Sequence, residues 1–241
     1  MITVEIIPII ETNQNYAYLI QTDCGKVAVL DPGEADPIID ILEQKNITPD
    51  YILITHHHWD HVNGIPKIKK KYDCPVVIPK AEESKIKYGD ITLNDGDVFE
   101  LGEEKAHIIL TPGHTAGGIC YYFPDSNIVF TGDTLFSLGC GRLFEGTAED
   151  MFTSFEKLKK LPDGTLVYCG HEYTRANAGF CLSVAPDNAA LKQRIAEVKT
   201  LRAENKPTLP TTIGIEKKTN VFMQTKTAQE FGDLRRKKDN F

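Results

Sequence analysis

The chain has 241 residues, 41% of them hydrophobic and 25% charged, which is ordinary for a globular protein and gives enough apolar surface for a core. No run approaches the roughly 20 apolar residues of a membrane span, and Met1-Ile2-Thr3-Val4-Glu5 has no signal-peptide pattern, so no membrane and a cytoplasmic location are expected. The net charge of −7 and the lack of an inserted second domain weigh against a nucleic-acid partner, and a monomer is expected.

Ile2–Ile9, Tyr16–Gln21 and Lys26–Leu30 are rich in β-branched or aromatic residues and bounded by turn formers, which predicts strands. Pro37–Gln44 places Ile38, Ile41 and Leu42 at helical spacing behind Asp36 as a cap. Tyr51-Ile52-Leu53-Ile54 is a continuous apolar run, expected as a strand buried on both faces. Ala106–Leu110, Ile119–Phe123 and Ile128–Phe130 again read as strands, the last two joined by a Pro-Asp-Ser-Asn turn. Thr147-Ala148-Glu149-Asp150 resembles a capping box, opening a helix with Met151, Phe155 and Leu158 on one face. Leu166–Cys169 is one more strand. Beyond residue 173 the texture is helical, with Leu191, Ile195 and Val198 on one stripe, a linker at Pro207 and Pro210, and a last helix over Gln229–Lys238.

The six cysteines lie far apart with no paired spacing, so reduced thiols are expected, several of them buried. Charge divides unevenly. Residues 1–173 hold 14 basic against 27 acidic residues, while residues 174–241 hold 13 against 7. Most of those late cations read as a solvated helical surface; Arg235-Arg236-Lys237-Lys238 is the cluster that fits an anion site.

Chemistry concentrates in Thr55-His56-His57-His58-Trp59-Asp60-His61, on the connection leaving a buried strand. In an extended chain His56, His58 and Asp60 project to one side, and His61 joins them only if the chain turns into a helix there. His57 points away and is expected to pack or hydrogen-bond; His107 reads as a core histidine. His114, Asp133 and His171 each follow a loop-like signal at a strand end, giving seven candidate ligands. A tetrahedral ion uses about four, so seven fit two ions sharing a carboxylate. Imidazole with carboxylate suits zinc, iron or manganese, and two divalent ions, zinc first among them, are expected.

The HxHxDH order with the later His, Asp and His resembles the metallo-β-lactamase superfamily. That likeness implies an α+β, αββα sandwich in which His56, His58 and His114 hold one ion, Asp60, His61 and His171 the other, and Asp133 bridges. The segments Thr131–Phe136, Gly139–Gly146 and Gly170–Thr174, with the ending Leu234–Phe241, are similar to glyoxalase II, the hydroxyacylglutathione hydrolases. This resemblance implies a catalytic domain over 1–173 and a helical glutathione-binding domain over 174–241. It also implies glutathione contacts at Arg142, Phe144, Tyr173, Arg235 and Lys238. Phe144 stands where some members carry a tyrosine, so it offers no hydroxyl.

The expected activity is hydrolysis of S-D-lactoylglutathione and other 2-hydroxyacylglutathiones, with a glutathione persulfide dioxygenase on the same fold as the alternative. A metal lowers the pKa of a bound water to about 7, and the thiolate leaves without strong help from an acid. Asp60 is expected to orient that nucleophile while ligating. Asp31 reads either as a partner for one of the histidines or as a turn residue.

Overall fold

The computed structural model describes residues 1–9 and 14–241. The chain divides into two units, Met1–Leu110 with Gly117–Ser126 and Thr111–Ala116 with Asn127–Phe241.

In the first unit the β-branched N-terminal runs form an antiparallel meander, β1 (Ile2–Ile9), β2 (Asn15–Thr22) and β3 (Val27–Leu30). Helix α1 (Asp36–Gln44) crosses over to β4 (Tyr51–Leu53), which pairs parallel with β3. A single helical turn, α2 (Trp59–Val62), and α3 (Ile65–Tyr72) lead to β5 (Val76–Pro79) and β6 (Ile91–Leu93), both added in parallel. The result is one six-stranded sheet in chain order.

Period-two alternation divides its side chains between two faces. Ala17, Leu19, Val27, Val29 and Ile52 pack against Ile38 and Leu42 of α1 and Ile65 and Ile68 of α3. The other face meets a second meander, β7 (Val98–Leu101), β8 (Glu104–Leu110) and β9 (Ile119–Phe123). There the buried Tyr121 hydroxyl donates to the Ile54 carbonyl at 3.0 Å, and Tyr51 meets Phe99 edge-on with ring centres 5.0 Å apart. Each large aliphatic side chain buried this way contributes about 1.5–3 kcal/mol as an upper estimate.

Asp36 does not cap α1: Ala35 holds the N-cap position, no side chain bonds there, and Asp36 sits in the first turn, where its charge favours the helix dipole. His107 is not a core residue. On β8 it is Ala106 and Ile108 that face inward, and His107 is exposed.

In the second unit β10 (Ile128–Gly132) pairs parallel with a later strand and is followed by a small hairpin, β11 (Leu135–Phe136) and β12 (Gly139–Cys140). Helix α4 (Ala148–Leu158) opens on the expected capping box, Thr147 and Asp150 bonding reciprocally. It leads to β13 (Leu166–Cys169), the parallel partner of β10. Four more helices follow: α5 (Thr174–Val184), α6 (Ala189–Ala203), then after the short strand β14 (Thr211–Thr212), α7 (Ile213–Thr219) and α8 (Ala228–Asp239). Their core is aromatic: Phe231 of α8 lies 5.0 Å from Phe155 and 5.1 Å from Phe222, centre to centre, and Phe222 stacks on Phe180. Among the described residues no helix is long and apolar enough to cross a membrane.

Candidate metal centre

The first unit supplies four of the expected ligands from the connection after β4. After β4 the chain bends at Thr55, passes irregularly to His58 and turns into α2 at Trp59, so that His61 lies in a helical turn, as the spacing anticipates. Asp31, buried and at a positive φ of 51°, organises this segment. Its carboxylate accepts from the Thr55 amide at 2.8 Å and from the Thr55 hydroxyl at 2.6 Å. His61 Nδ1 lies 3.1 Å from the same carboxylate. An ionised carboxylate only accepts, so His61 carries its proton on Nδ1 and its lone pair on Nε2. The Thr55 hydroxyl proton is spent on Asp31, so Thr55 accepts from His56 Nδ1 at 3.0 Å, and His56 is held in the same tautomer. The two rings lie 4.2 Å apart, and His56 and His58 lie 4.8 Å apart, centre to centre.

Asp60 is oriented through Asn15, whose amide donates to the Asp60 carbonyl at 2.7 Å and to its carboxylate at 3.2 Å. The Asp60 carboxylate lies 3.8 Å from His61 Nε2, so the two present their donor atoms side by side. Gly33 makes this approach feasible: a β-carbon there would sit 2.0 Å from the Asp60 carbonyl oxygen. His57 is turned away as expected. Its amide and Nδ1 meet the fully buried Glu82 at 2.6 and 2.9 Å, and Glu82 also accepts from the Gly117 amide.

The second unit supplies the other three. His114 Nδ1 donates to the Arg142 carbonyl at 2.8 Å, which again leaves the Nε2 lone pair unprotonated and able to meet a metal. Asp133 Oδ2 lies 3.3 Å from His114 Nε2 and 3.1 Å from His171 Nε2. One carboxylate oxygen therefore lies beside donor atoms that the resemblance assigns to different ions. Gly141 passes so close that a β-carbon would meet the Asp133 carbonyl oxygen at 2.0 Å. The donor chemistry fits divalent ions in both units: three of the imidazoles have Nδ1 committed to oxygen acceptors, which is how metal-binding histidines are prepared.

Residues expected to read glutathione lie in this unit too. Tyr173 stacks on His171, ring centres 4.5 Å apart and planes within 5°. Phe144 is exposed and meets His114 edge-on at 5.3 Å. Arg142 is largely exposed, its Nε 3.9 Å from Asp239. Lys238 is partly buried, 5.2 Å from the centre of the Phe180 ring, and burial, then the neighbouring Arg235 charge, pulls its pKa down. Arg235 differs from an exposed substrate contact. It is 4% exposed, its Nη1 donates to the Cys140 carbonyl at 3.0 Å and meets the Cys140 thiol at 3.5 Å, and its Nε and Nη2 donate to Asp239.

Residues 10–171 match the metallo-β-lactamase superfamily, and residues 172–241 match the hydroxyacylglutathione hydrolase C-terminus. A Brucella ovis protein named hydroxyacylglutathione hydrolase is 50% identical over 213 residues, covering 88% of this chain and 83% of that protein. The chain belongs to the hydroxyacylglutathione hydrolase family. Among solved structures it is similar to ETHE1 from Myxococcus xanthus, at a TM-score of 0.74 and 24% identity over 97% of this chain and 90% of that one. It is also similar to the BLEG-1 B3 metallo-β-lactamase, at 0.73 and 24% over 92% and 100%. Both likenesses concern the fold, which is the metallo-β-lactamase fold with a C-terminal helical region. Superfamily membership, with the histidine and aspartate sets above, supports a two-metal site.

Asn15, Thr55 and Glu82 carry positioning roles that the sequence does not announce. Asn15 opens a strand, Thr55 precedes the histidines, and Glu82 sits in a short turn. Each is a common residue in a common place, and only tertiary packing gives it a task.

Proposed function

We propose that this chain hydrolyses S-D-lactoylglutathione and related 2-hydroxyacylglutathiones to glutathione and the free hydroxy acid. The observation that carries this reading is the match of residues 172–241, the segment that contains Tyr173, Arg235 and Lys238, to the C-terminus of that enzyme family. The matched spans also support a catalytic domain over 1–173 and a glutathione-binding domain over 174–241.

His56, His58 and His114 are proposed to hold one ion, Asp60, His61 and His171 the other, and Asp133 both, with zinc as the metal. When bound, the ions lower the pKa of a water and polarise the thioester carbonyl. The side chains do the rest. Asp31 and Thr55 fix the tautomers of His56 and His61, and Asn15 aims the Asp60 carboxylate, which accepts a hydrogen bond from the attacking nucleophile and aligns it. Arg142 and Lys238 offer cations to the two glutathione carboxylates, a planar fork suiting a carboxylate best. Phe144 and Tyr173 flank the ligand histidines, and Arg235 acts from below through the Cys140 carbonyl. The six free thiols favour a reducing compartment, the cytoplasm, and the chain is proposed to act as a monomer.

The test is hydrolysis of S-D-lactoylglutathione by purified protein of measured metal content. Turnover is expected. Oxygen consumption with glutathione persulfide, and no thioester hydrolysis, would replace this reading with an oxygenase.

A further inference from the structure

The hairpin that precedes Arg142 has an unusual backbone. At its turn Leu138 has a φ of 60° and is fully buried, a conformation an aliphatic residue keeps only when its surroundings impose it. The surroundings here are five side chains from the C-terminal helical segment. Asn220 Nδ2 donates to the Phe136 and Gly139 carbonyls at 3.3 and 3.0 Å. Asn177 donates to the Ser137 carbonyl at 3.0 Å, and the Cys181 thiol to that of Leu138 at 3.1 Å. Arg235 takes the Cys140 carbonyl. Every carbonyl from Phe136 to Cys140 is thus held by a side chain from beyond residue 173.

Glu216 is the keystone of this set. It is fully buried; one carboxylate oxygen accepts from the Leu138 amide at 2.8 Å and from Asn220 at 3.0 Å, while the other accepts from Thr211 at 2.8 Å. No part of this group is needed to close α7, whose cap is Thr212. A buried carboxylate is costly unless fully bonded, and here its bonds go to a loop and to the asparagine that grips the same loop. Immediately after the loop, Gly141 donates to Thr134 and the Arg142 carbonyl receives His114.

We infer that Glu216 and Asn220 are positioning residues for substrate recognition, holding the 136–141 loop so that Arg142 is presented to glutathione. The inference rests on Arg142 as a glutathione contact and assigns no chemistry to the two residues.

Calorimetry with S-methylglutathione, which cannot be hydrolysed, reads recognition apart from turnover. Glu216→Ala and Asn220→Ala should each raise its Kd and the KM for S-D-lactoylglutathione about tenfold. Metal content should stay at the parent value and kcat within about threefold. A small thioester without the glutathione carboxylates should be processed as by the parent, and Glu216→Gln, which keeps the bonding shape, should restore binding. Should Glu216→Ala fail to fold, Asn177→Ala removes one loop bond and leaves Glu216 fully partnered; a Kd rise of at least about threefold is expected. Unchanged Kd in folded variants, or equal losses on both substrates, would overturn the inference. A parent that binds S-methylglutathione without hydrolysing the thioester would instead overturn the hydrolase reading alone.

Discussion

Asp60 and Asp133 are both carboxylates among histidines, yet their surroundings give them different tasks. Asp133 presents one oxygen to His114 and His171 together, so Asp133→Ala should lower bound metal from about two ions per chain to below one, read by metal analysis after reconstitution. A variant that keeps both ions would remove Asp133 from the bridging role. Asp60 is aimed by Asn15, and its proposed task is alignment as well as ligation. Asp60→Asn should therefore lower kcat about a hundredfold or more with KM nearly unchanged, since a misplaced nucleophile is penalised that heavily. Kinetics on a sample retaining both ions decides it; a near-normal kcat there would mean the metals alone place the water. The thiols give a separate check. Burial pushes Cys140 up to about 11 and Cys169 and Cys181 up to about 12, whereas Cys24 is exposed. Thiolates are the reactive form, so a disulfide reagent should titrate one fast thiol in the native protein and six after denaturation. The candidate ligands were legible in the sequence because histidine runs carry their own spacing. Asn15 and Glu82 were not, because an amide or carboxylate becomes a positioning group only through what it meets after folding.

At the level of elements, legibility followed hydrophobic and capping signals. Helix α4 opens where the Thr147–Asp150 pattern places it, and the turn into α2 appears where His61 requires one. Strand β14 and helix α7 stayed hidden between Pro210 and the last helix. They are two and seven residues long, and the side chains that anchor α7, Glu216 within it and Asn220 at its C-cap, are polar residues buried by tertiary contacts rather than by a periodic stripe. Glu216 gives this region a pH signature. Burial, the dominant cause, raises its pKa above the ordinary 4.5, so folding favours the protonated form. That contribution is fully present below the unfolded value and is lost as pH rises through the folded one. Glu216→Gln has no charge to bury. Its Tm relative to the parent should increase as pH goes from about 4.5 to neutrality, and a difference that shrinks over this range would contradict the sign. Arg235 and Lys238, three residues apart on α8, should also separate. Arg235→Ala removes the Cys140 anchor and should lower Tm as well as raise KM, whereas Lys238→Ala should raise KM about tenfold with the smaller change in Tm. Equal Tm losses would deny Arg235 its supporting role.

Across the whole molecule the charge is uneven in a way that bears on the substrate. Residues 1–173 carry a balance of −13 and residues 174–241 one of +6. A glutathione thioester has two carboxylates and one ammonium, so it approaches as a net anion. The overall −7 opposes that approach, while the proposed contacts Arg142 and Lys238 would favour it. Screening decides which matters, because exposed charges beyond about 8 Å count little at physiological ionic strength. Local cations then dominate binding, and added salt weakens them further. The kcat/KM for S-D-lactoylglutathione should fall as monovalent salt rises from about 0.05 to 0.5 M, through KM rather than kcat, and an uncharged thioester should show no such slope. Lys238→Ala should flatten the slope, since it removes one of the charges being screened. A kcat/KM that rises with salt would show instead that repulsion from the acidic surface governs approach, and would deny Arg142 and Lys238 the part assigned to them.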